Sequence, residues 1–574
     1  MRIVQMKIEN FRGIRLLSAW NPAPEVNCLI GPGDSTKTTI LDAIELCLNP
    51  RSYFLADDCD FFQLDIDSPI RITVTLTDLP VEFKAEDRYG LFLRGWDKDK
   101  GRIEDEPGAQ LEDALSILVE IDKSLEARWS IFNDRISSTV GDPPVIRYKD
   151  FGRLATNRLG PYAERHLSWG RTSILPRIAE AGGRFSINLA EARRAARQAF
   201  RNSDRSPFEE AAKKAEKLSK LFSVPVQSGY RAELDLDGAS ISSGGIALHD
   251  GQLPLRRLGT GSSRLIVSAL QHGAGSPNIS IIDEIEHGLE PHRIARLLKF
   301  LKTPKEGGFQ PQVFLTSHSP SVIIELDAKD IYTVRSSNGH TTVHSAAGAN
   351  ASIDAQSYLR ASPEAFLARR VIVGEGRTEQ GLVRGLDTWW SQCEKSPLAL
   401  LGVAVIDGRG TNAVPISEHL LDLGYEIFLL HDTDIPFDAD GLRRLQDKRA
   451  AVEGWHDRCA IEERVFLDVP WEVLLNLLDY AVECEGADSV LAVINQECCT
   501  AGIAELETLP PDRSLDGEPF RRVLGKAAKS KKRPWFKTIE RGERLGEIVG
   551  PILKTIAASP FAQSLERLRK WLDA

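Results

Sequence analysis

The sequence predicts an α/β protein built as two units in tandem, and three observations carry that prediction. Short apolar runs of strand character alternate with helical or polar segments along most of the chain. One set of runs stops at a Ser-, Gly- and Ala-rich stretch, Ser336 to Ser352, and a second set starts near Phe366. The 574 residues, 42 % of them hydrophobic, supply enough apolar surface for several buried cores.

In the first unit, Arg2 to Ile8, Val26 to Ile30 and Ile70 to Leu76 read as strands around a helix, Lys37 to Cys47, which begins directly after a glycine-containing loop. From Pro161 to Leu221 the texture is helical: AEARRAARQAF and FEEAAKKAEKLSKLF flank the breaker NSDRSP and predict a helical hairpin inserted over residues 161–225. Strand texture resumes at Ala232 to Leu248, Ile279 to Ile282 and Val313 to Leu315. The first unit therefore comprises residues 1–160 and 226–350. The second, residues 366–574, shows runs at Val371, Gly402 to Ile406, Ile427 to Leu430 and Val465 to Val469, each expected as a buried strand.

Composition excludes several classes. Lys and Arg number 72 against 82 Asp and Glu, a formal charge of −10, so the chain is no polycation and any nucleic-acid contact needs a local patch. The most apolar stretch, Leu398 to Ile406, is broken by Gly402 and falls far short of the about 20 residues that span a bilayer. The opening MRIVQMKIENFRGI alternates like a strand and lacks the apolar core of a signal peptide, so no membrane partner and a cytoplasmic location are expected. Eight cysteines without a CxxC pair match neither a disulfide framework nor a zinc ribbon.

Three motifs bear on chemistry in the first unit. GPGDSTKTT, Gly31 to Thr39, has the spacing of a phosphate-binding loop, with Thr36 in place of the second glycine. Amides across Gly31, Gly33, Ser35, Thr36 and Thr39, with the following helix N-terminus, would cradle phosphates; Lys37 would reach the terminal groups and Thr38 would ligate Mg²⁺. Asp283 and Glu284 end the apolar run ISII, where one carboxylate can bind the metal and the other polarise a water. VFLTSHSP ends another run at Ser317 and His318. Each alone is ordinary: a polar turn, a solvated acid pair, a structural histidine. Their order along one chain makes the coincidence hard to sustain.

In the second unit, RRVIVGEGRTE places Glu375 after a short strand and Glu379 one helical turn further, on the same face. IFLLHDTD ends a later strand with Asp432 and Asp434. Four acids gathered at the carboxyl ends of parallel strands repel one another unless cations neutralise them, and hard oxygen ligands suit Mg²⁺ or Mn²⁺. Near the C-terminus, Arg521 to Arg544 holds ten Lys or Arg against two Glu and interleaves Trp535 and Phe536, a patch suited to phosphates with an aromatic pair that either packs the segment or stacks on a base.

The first set of motifs, with IENFRGI at Ile8 to Ile14 and LGTGSSRL at Leu258 to Leu265, resembles the ABC-type ATPases of the SMC-like class. That resemblance implies ATP as cofactor, Arg12 approaching the nucleotide, Gln63 as a Q-loop residue, Gly261 and Ser262 in the signature segment, and His318 sensing the γ-phosphate. It also implies a homodimer or larger homo-oligomer, because the signature of one subunit closes on the nucleotide of another. Gly259 stands where the signature serine would be.

Glu375 and the DxD of Asp432 and Asp434 resemble the Toprim pattern. An SMC-like ATPase followed by Toprim is similar to the OLD (overcoming lysogenization defect) family and its Gabija-type defence relatives, as is the glycine-rich VAVIDGRGTNAVP at Val403 to Pro415. The resemblance implies further metal-site acids at Asp468 and Glu472, an active-site lysine at Lys537, and an ATP-regulated, metal-dependent endonuclease acting on DNA in anti-phage defence or DNA processing, with a genetically linked partner as an option. RNA stays open as the substrate, and a non-catalytic ATP-driven DNA clamp stays open as the alternative.

Overall fold

The fold comes from a computed structural model, which describes residues 1–49, 55–137, 144–147, 150–154, 156–160, 166–167, 175, 182–202, 212–213, 216, 248–273, 278–304, 310–348, 354–435 and 438–574. Most of the second helix expected in the insertion and most of the strand texture from Ala232 to Leu248 lie outside these residues.

Among the described residues, thirteen strands form the first sheet. Its antiparallel wing contains β1 (Arg2–Phe11), β2 (Ile14–Trp20), β4 (Ile70–Thr77), β5 (Arg94–Asp97), β6 (Arg102–Glu104), β7 (Glu112–Ile121) and β8 (Ala127–Phe132). Its parallel part runs β14 (Ile331–Ser337), β3 (Val26–Ile30), β13 (Gln312–Thr316), β12 (Ile279–Ile282) and β9 (Asn157–Leu159), and β15 (His340–Ser345) joins the two parts. A separate hairpin pairs β10 (His249–Asp250) with β11 (Leu253–Pro254).

Register decides what the sheet presents. Ile282 lies opposite Leu315, Thr316 opposite Leu29 and Thr333 opposite Ile30. Because the strands are parallel, Gly31, Asp283 and Ser317 emerge at one edge. Helix α1 (Lys37–Leu48) buries Ile40, Leu41 and Ile44 in a core shared with Phe314 and Ile72. Helix α2 (Gly182–Asn202) falls in the expected insertion, and α3 (Thr260–Gly273) and α4 (Pro291–Leu301) follow.

The second sheet has four parallel strands in the order β17 (Val403–Asp407), β16 (Arg370–Gly374), β18 (Glu426–His431) and β19 (Ala451–Gly454). Gly374 pairs with both Asp407 and Leu430, so Glu375, Asp407 and Asp432 stand at one carboxyl edge. A buried cluster running from Ile30 and Leu315 through Phe366 to Val373 and Leu429 joins the two sheets. Around the second sheet lie α5 (Arg377–Gln392), α6 (Ala413–Asp422), α7 (Ile461–Asp468), α8 (Trp471–Glu485), α9 (Glu518–Ala528), α10 (Ile539–Val549) and α11 (Pro560–Asp573).

One expected strand is a helix. Val465 to Asp468 forms the end of α7, Val469 follows it, and β19 takes the fourth place in the sheet. The run reads equally well with helical spacing: Ile461 and Val465 are buried one turn apart, Glu463 accepts the Ala460 N–H at 3.1 Å, and Arg464 pairs with Asp468.

Helices α5 and α10 cross unusually closely. A β-carbon built on Gly385 would stand 2.0 Å from the Glu543 carbonyl oxygen, and one on Gly546 would stand 2.5 Å from that of Leu382. This glycine-to-glycine approach seats the segment ahead of α10, which carries Lys537, against the first turn of α5, which carries Glu379.

Candidate functional site

Two sites form at the carboxyl edges of the two sheets. In the first, β3 delivers Gly31 into a loop that ends at the N-terminus of α1, and the unpaired amides of a helix N-terminus favour an anion. Gly31 has φ 147°, and a β-carbon there would meet the Val334 carbonyl oxygen at 2.6 Å. Thr36 adopts φ 66° and ψ 13°, the left-handed conformation a glycine takes freely. The threonine therefore keeps the loop's path, at a cost of about 1–2 kcal/mol. Its hydroxyl donates to the Ser35 carbonyl oxygen at 2.6 Å and lies 3.2 Å from Thr341 Oγ1.

The Lys37 ammonium folds into the loop and donates to the carbonyl oxygens of Gly31 (3.1 Å) and Pro32 (2.8 Å) and to Ser35 Oγ (3.0 Å). Burial lowers its pKa to about 8. Thr38 and Thr39 open α1, and Gly33 is exposed with no atom near its missing side chain.

Asp283 Oδ1 accepts from Thr316 Oγ1 at 2.7 Å and from Thr38 Oγ1 at 3.3 Å, so the two expected Mg²⁺ ligands are neighbours. Glu284, at φ 47°, donates its N–H to Thr316 Oγ1 at 2.8 Å and leaves its carboxylate 57 % exposed. The His318 N–H donates to Glu286 Oε1 at 2.7 Å, while partial burial and then the Lys37 charge lower the imidazole pKa.

The residues assigned by resemblance fall in different places. Arg12 pairs with Asp60 at 2.8 Å and with Asp42, which holds it on the flank of α1. Gln63 is exposed in a 3-10 turn with φ 52°, and among the described residues no hydrogen bond joins it to the loop. Gly261 abuts Gly288, whose carbonyl oxygen stands 2.1 Å from where its β-carbon would be, and Ser262 Oγ accepts from Arg293 at 3.4 Å. No atom approaches a side chain built at Gly259.

Two arginines add to the site, Arg158 outside every motif and Arg264 within LGTGSSRL. Arg158 pairs with Asp42, with Glu45 at 2.8 Å and with Asp283 at 3.3 Å; against burial, Asp42 and Glu45 raise its pKa. Arg264, fully buried, donates to the carbonyl oxygens of Asp283 and Glu284, both at 2.9 Å, and so fixes the turn that presents them.

The second site is an open cavity of about 520 Å³ lined by Glu375, Glu379, Asp432, Asp434, Glu462 and Asp407, with Arg377, Arg409, Lys529 and Lys537. Glu375 Oε2 accepts the Asp432 N–H at 2.7 Å, and Asp432 Oδ1 accepts the Ile461 N–H at 2.9 Å. The ends of β16 and β18 and the start of α7 are thereby laced together. Glu379 caps its own helix by accepting the Gly376 N–H at 3.0 Å. Asp434 pairs with Lys529 at 2.8 Å, which also pairs with Glu463 at 2.9 Å; both acids raise the lysine pKa against burial. Thr378 Oγ1 donates to Glu462 and to the Phe536 carbonyl oxygen, each at 3.3 Å, tying that acid to the Lys537 segment.

Electrostatics defines what the cavity needs. Burial and then Glu462 push the Glu379 carboxyl up to about 7. Asp432 is raised well above its ordinary value by burial, then by Glu379, Glu462 and Glu375; Glu375 and Glu462 are raised by burial. Such crowding is relieved by protons or by cations, and an all-oxygen donor set fits a hard divalent ion. Among the described residues, no three candidate side chains stand at metal-binding spacing, in keeping with Asp434 being turned onto Lys529.

Two of the acids inferred from resemblance are not in this cavity. Asp468 is spent on Arg464 and on the Phe561 N–H at 2.8 Å, joining α7 to α11, and Glu472 is 68 % exposed beside Arg513. Glu462, six residues before Asp468, occupies the cavity instead. Nothing in IEERVF marks one of its two glutamates over the other; only the capping of Ala460 by Glu463 turns Glu462 inward. Trp535 and Phe536 are buried, against Phe466 and Tyr480, so they pack the segment and do not stack on a base.

A phosphate loop backed by strand-end carboxylates, joined to a parallel sheet edged with acids, defines a two-part ATPase–Toprim protein. A family model described as "AAA domain, putative AbiEii toxin, Type IV TA system" matches residues 26–325, more than half of the chain, and one described as "Overcoming lysogenization defect protein-like, TOPRIM domain" matches residues 366–434. The chain belongs to the family of that AAA domain and carries an OLD-like Toprim domain behind it, a pair that supports an OLD-family ATPase–Toprim protein. The ATPase domain implies ATP binding, and the pair of domains supports a nuclease-type function. No curated protein sequence matches the chain. Similar solved structures include the SMC head domain from Thermotoga maritima, 14 % identical with TM-score 0.29, covering 60 % of this chain and 99 % of that one. The Smc head domain with an extended coiled coil bound to the C-terminal domain of ScpA, derived from Pyrococcus furiosus, is 12 % identical with TM-score 0.31, covering 60 % and 95 %. Among the described residues, no helix is long and apolar enough to cross a membrane.

Proposed function

We propose that the protein is an ATP-regulated, metal-dependent nuclease that cuts DNA phosphodiesters, working in the cytoplasm as a homodimer or larger assembly in defence or DNA processing. One observation carries the reading: Glu375, Glu379, Asp432, Asp434 and Glu462 meet Lys529 and Lys537 in a single open cavity at the carboxyl edge of a parallel sheet. The domain limits we assign are 1–160 and 226–350 for the ATPase, 161–225 for an inserted helical segment that assists dimerisation, and 366–574 for the Toprim unit.

Two Mg²⁺ or Mn²⁺ ions, when bound, would supply activation of the attacking water and stabilisation of the leaving oxygen. Glu375, Glu379, Asp432 and Glu462 are the residues to hold them, joined by Asp434 once it releases Lys529. Lys537 would donate to the scissile phosphate, and Lys529, freed from Asp434, would add a second positive charge. In the ATPase unit, phosphate oxygens would replace the loop carbonyls as acceptors for Lys37. Thr38 and Asp283 would hold the nucleotide's Mg²⁺, Glu284 would orient the attacking water and His318 would report the γ-phosphate.

The test is direct. Purified protein is incubated with supercoiled DNA, linear DNA and structured RNA, with and without ATP, in Mg²⁺ and Mn²⁺. Metal-dependent DNA cleavage is expected. Cleavage of RNA alone would reassign the substrate, and ATP turnover with no cleavage of any kind would favour the clamp.

A further inference from the structure

The cations around the carboxylate cavity form two unlike pairs. Lys529 and Lys537 come from the C-terminal region, and Lys529 is already committed to Asp434 and Glu463. Arg377, in the first turn of α5, and Arg409, in the loop after β17, line the same cavity from the sheet side. Arg377 is 65 % exposed, and Asp407, its ion-pair partner, stands 3.6 Å away, beyond hydrogen-bond reach; Glu540 also feels its charge. Arg409 is exposed and donates to one hydroxyl, Ser357 Oγ at 3.2 Å.

Arg409 is also held where a non-glycine residue is costly. Its φ is 57° and ψ 47°, a left-handed conformation that disfavours a side chain by about 1–2 kcal/mol. Three hydrogen bonds impose it: Gly408 N–H to the Gly374 carbonyl oxygen at 2.7 Å, Gly410 N–H to that of Glu375 at 2.7 Å, and Arg409 N–H to Asp407 Oδ1 at 2.8 Å. The loop carrying this guanidinium is thus bolted to the strand end that carries Glu375. Backbone outliers of this kind cluster at functional sites, and this one lines the carboxylate cavity.

We propose that Arg377 and Arg409 form a phosphate subsite beside the acid cluster, which grips a backbone phosphate next to the one cleaved and so makes the substrate a polynucleotide strand. The proposal rests on the nuclease reading of the cavity. An acid floor repels a polyanion everywhere except over bound cations, so a strand needs positive charge beyond the scissile position. The planar guanidinium fork matches paired phosphate oxygens and has donors to spare here. The lysines face the scissile phosphate, and the arginines set the path of the strand away from it.

The test compares an oligonucleotide with bis(p-nitrophenyl) phosphate, a diester with no neighbouring phosphate, in wild type, Arg377→Gln and Arg409→Gly. Glycine suits the left-handed backbone at 409, so that variant retains its loop. In each variant, kcat/KM for the oligonucleotide should fall at least about tenfold more than for the small diester, through KM, and the salt dependence of oligonucleotide binding in Ca²⁺ should drop by about one unit of slope. Equal losses on both substrates, or no loss on either, would overturn the subsite. A wild-type protein that cleaves neither substrate would remove the nuclease reading, while fluorescence anisotropy with a labelled strand would still decide whether the arginines bind phosphate.

Discussion

The guanidinium of Arg335 lies 3.6 Å from the centroid of the Tyr425 ring, and this contact joins the two sheets at a telling place. Arg335 sits on β14, beside the strand that leads into the phosphate loop, and it also donates to the Ala368 carbonyl oxygen at 3.1 Å. Tyr425 precedes β18 and donates to the Phe366 carbonyl oxygen at 2.6 Å. One side chain of the ATPase sheet therefore holds the entry points of β16 and β18, whose far ends carry Glu375 and Asp432.

Arg335→Met keeps the length of the side chain and removes the charge and the donors. We expect a loss of about 2 kcal/mol in stability, with faster hydrogen exchange at Phe428 to Leu430 and retained ATP binding. Unaltered exchange in β18 would show that the contact does not brace the strand.

Glu284→Gln should slow ATP hydrolysis by about two to four orders of magnitude while nucleotide binding persists, because Asp283, Thr38 and Lys37 are untouched. The measurement is ATP turnover beside a nucleotide-binding titration. Wild-type turnover in the variant would exclude Glu284 as the residue that polarises water.

Glu375→Ala and Asp432→Ala should each abolish metal-dependent cleavage and leave ATP binding intact, since both residues follow strands of the second sheet. Cleavage assays and ATP titration on the same preparation separate the two effects. Survival of cleavage at the wild-type rate in either variant is incompatible with these acids holding the cations.

Stability of the metal-free protein should depend on pH in an unusual direction. With its pKa raised from 4.5 to about 7, Glu379 in the folded protein retains a proton that the unfolded chain has released. Stability should then fall as pH rises through that window and stay low above it, and Mg²⁺ should restore it by taking the place of the proton. Glu379→Gln should flatten the slope in melts recorded with EDTA from pH 5 to 8. An unchanged slope would place the source elsewhere.

The basic segment divides into two roles. Lys531 and Lys532 are exposed in the turn before Trp535, whereas Lys537 lines the cavity. Replacing Lys531 and Lys532 together by Ala should weaken DNA binding and lower its salt slope by about two units; Lys537→Ala should depress kcat far more than affinity. Small and equal effects from both would return the segment to the surface.

Features written in contiguous residues were legible before folding. GPGDSTKTT, DE after ISII, and EGRTE with HDTD each place chemistry by local spacing, because a strand end and the turn after it span only a few residues. The α/β class, the two units, the helix expected over Lys37 to Cys47 and three of the four strands of the second sheet follow the same local rules of period and punctuation. Tertiary structure alone decided the rest. Glu462 rather than Asp468 or Glu472 enters the cavity, since the rotation of α7 depends on a cap at Ala460 and on which neighbours claim each carboxylate. Arg158 reaches Asp283 across 125 positions of sequence, and Lys529 reaches Asp434 across 95, distances over which no periodicity carries information. Lys537 reaches the cavity that Glu379 also lines because Gly385 and Gly546 let two helix backbones touch. A motif can name the side chains that do chemistry, but their partners are set by packing, where burial makes every unpaired charge costly and leaves few arrangements that satisfy them all.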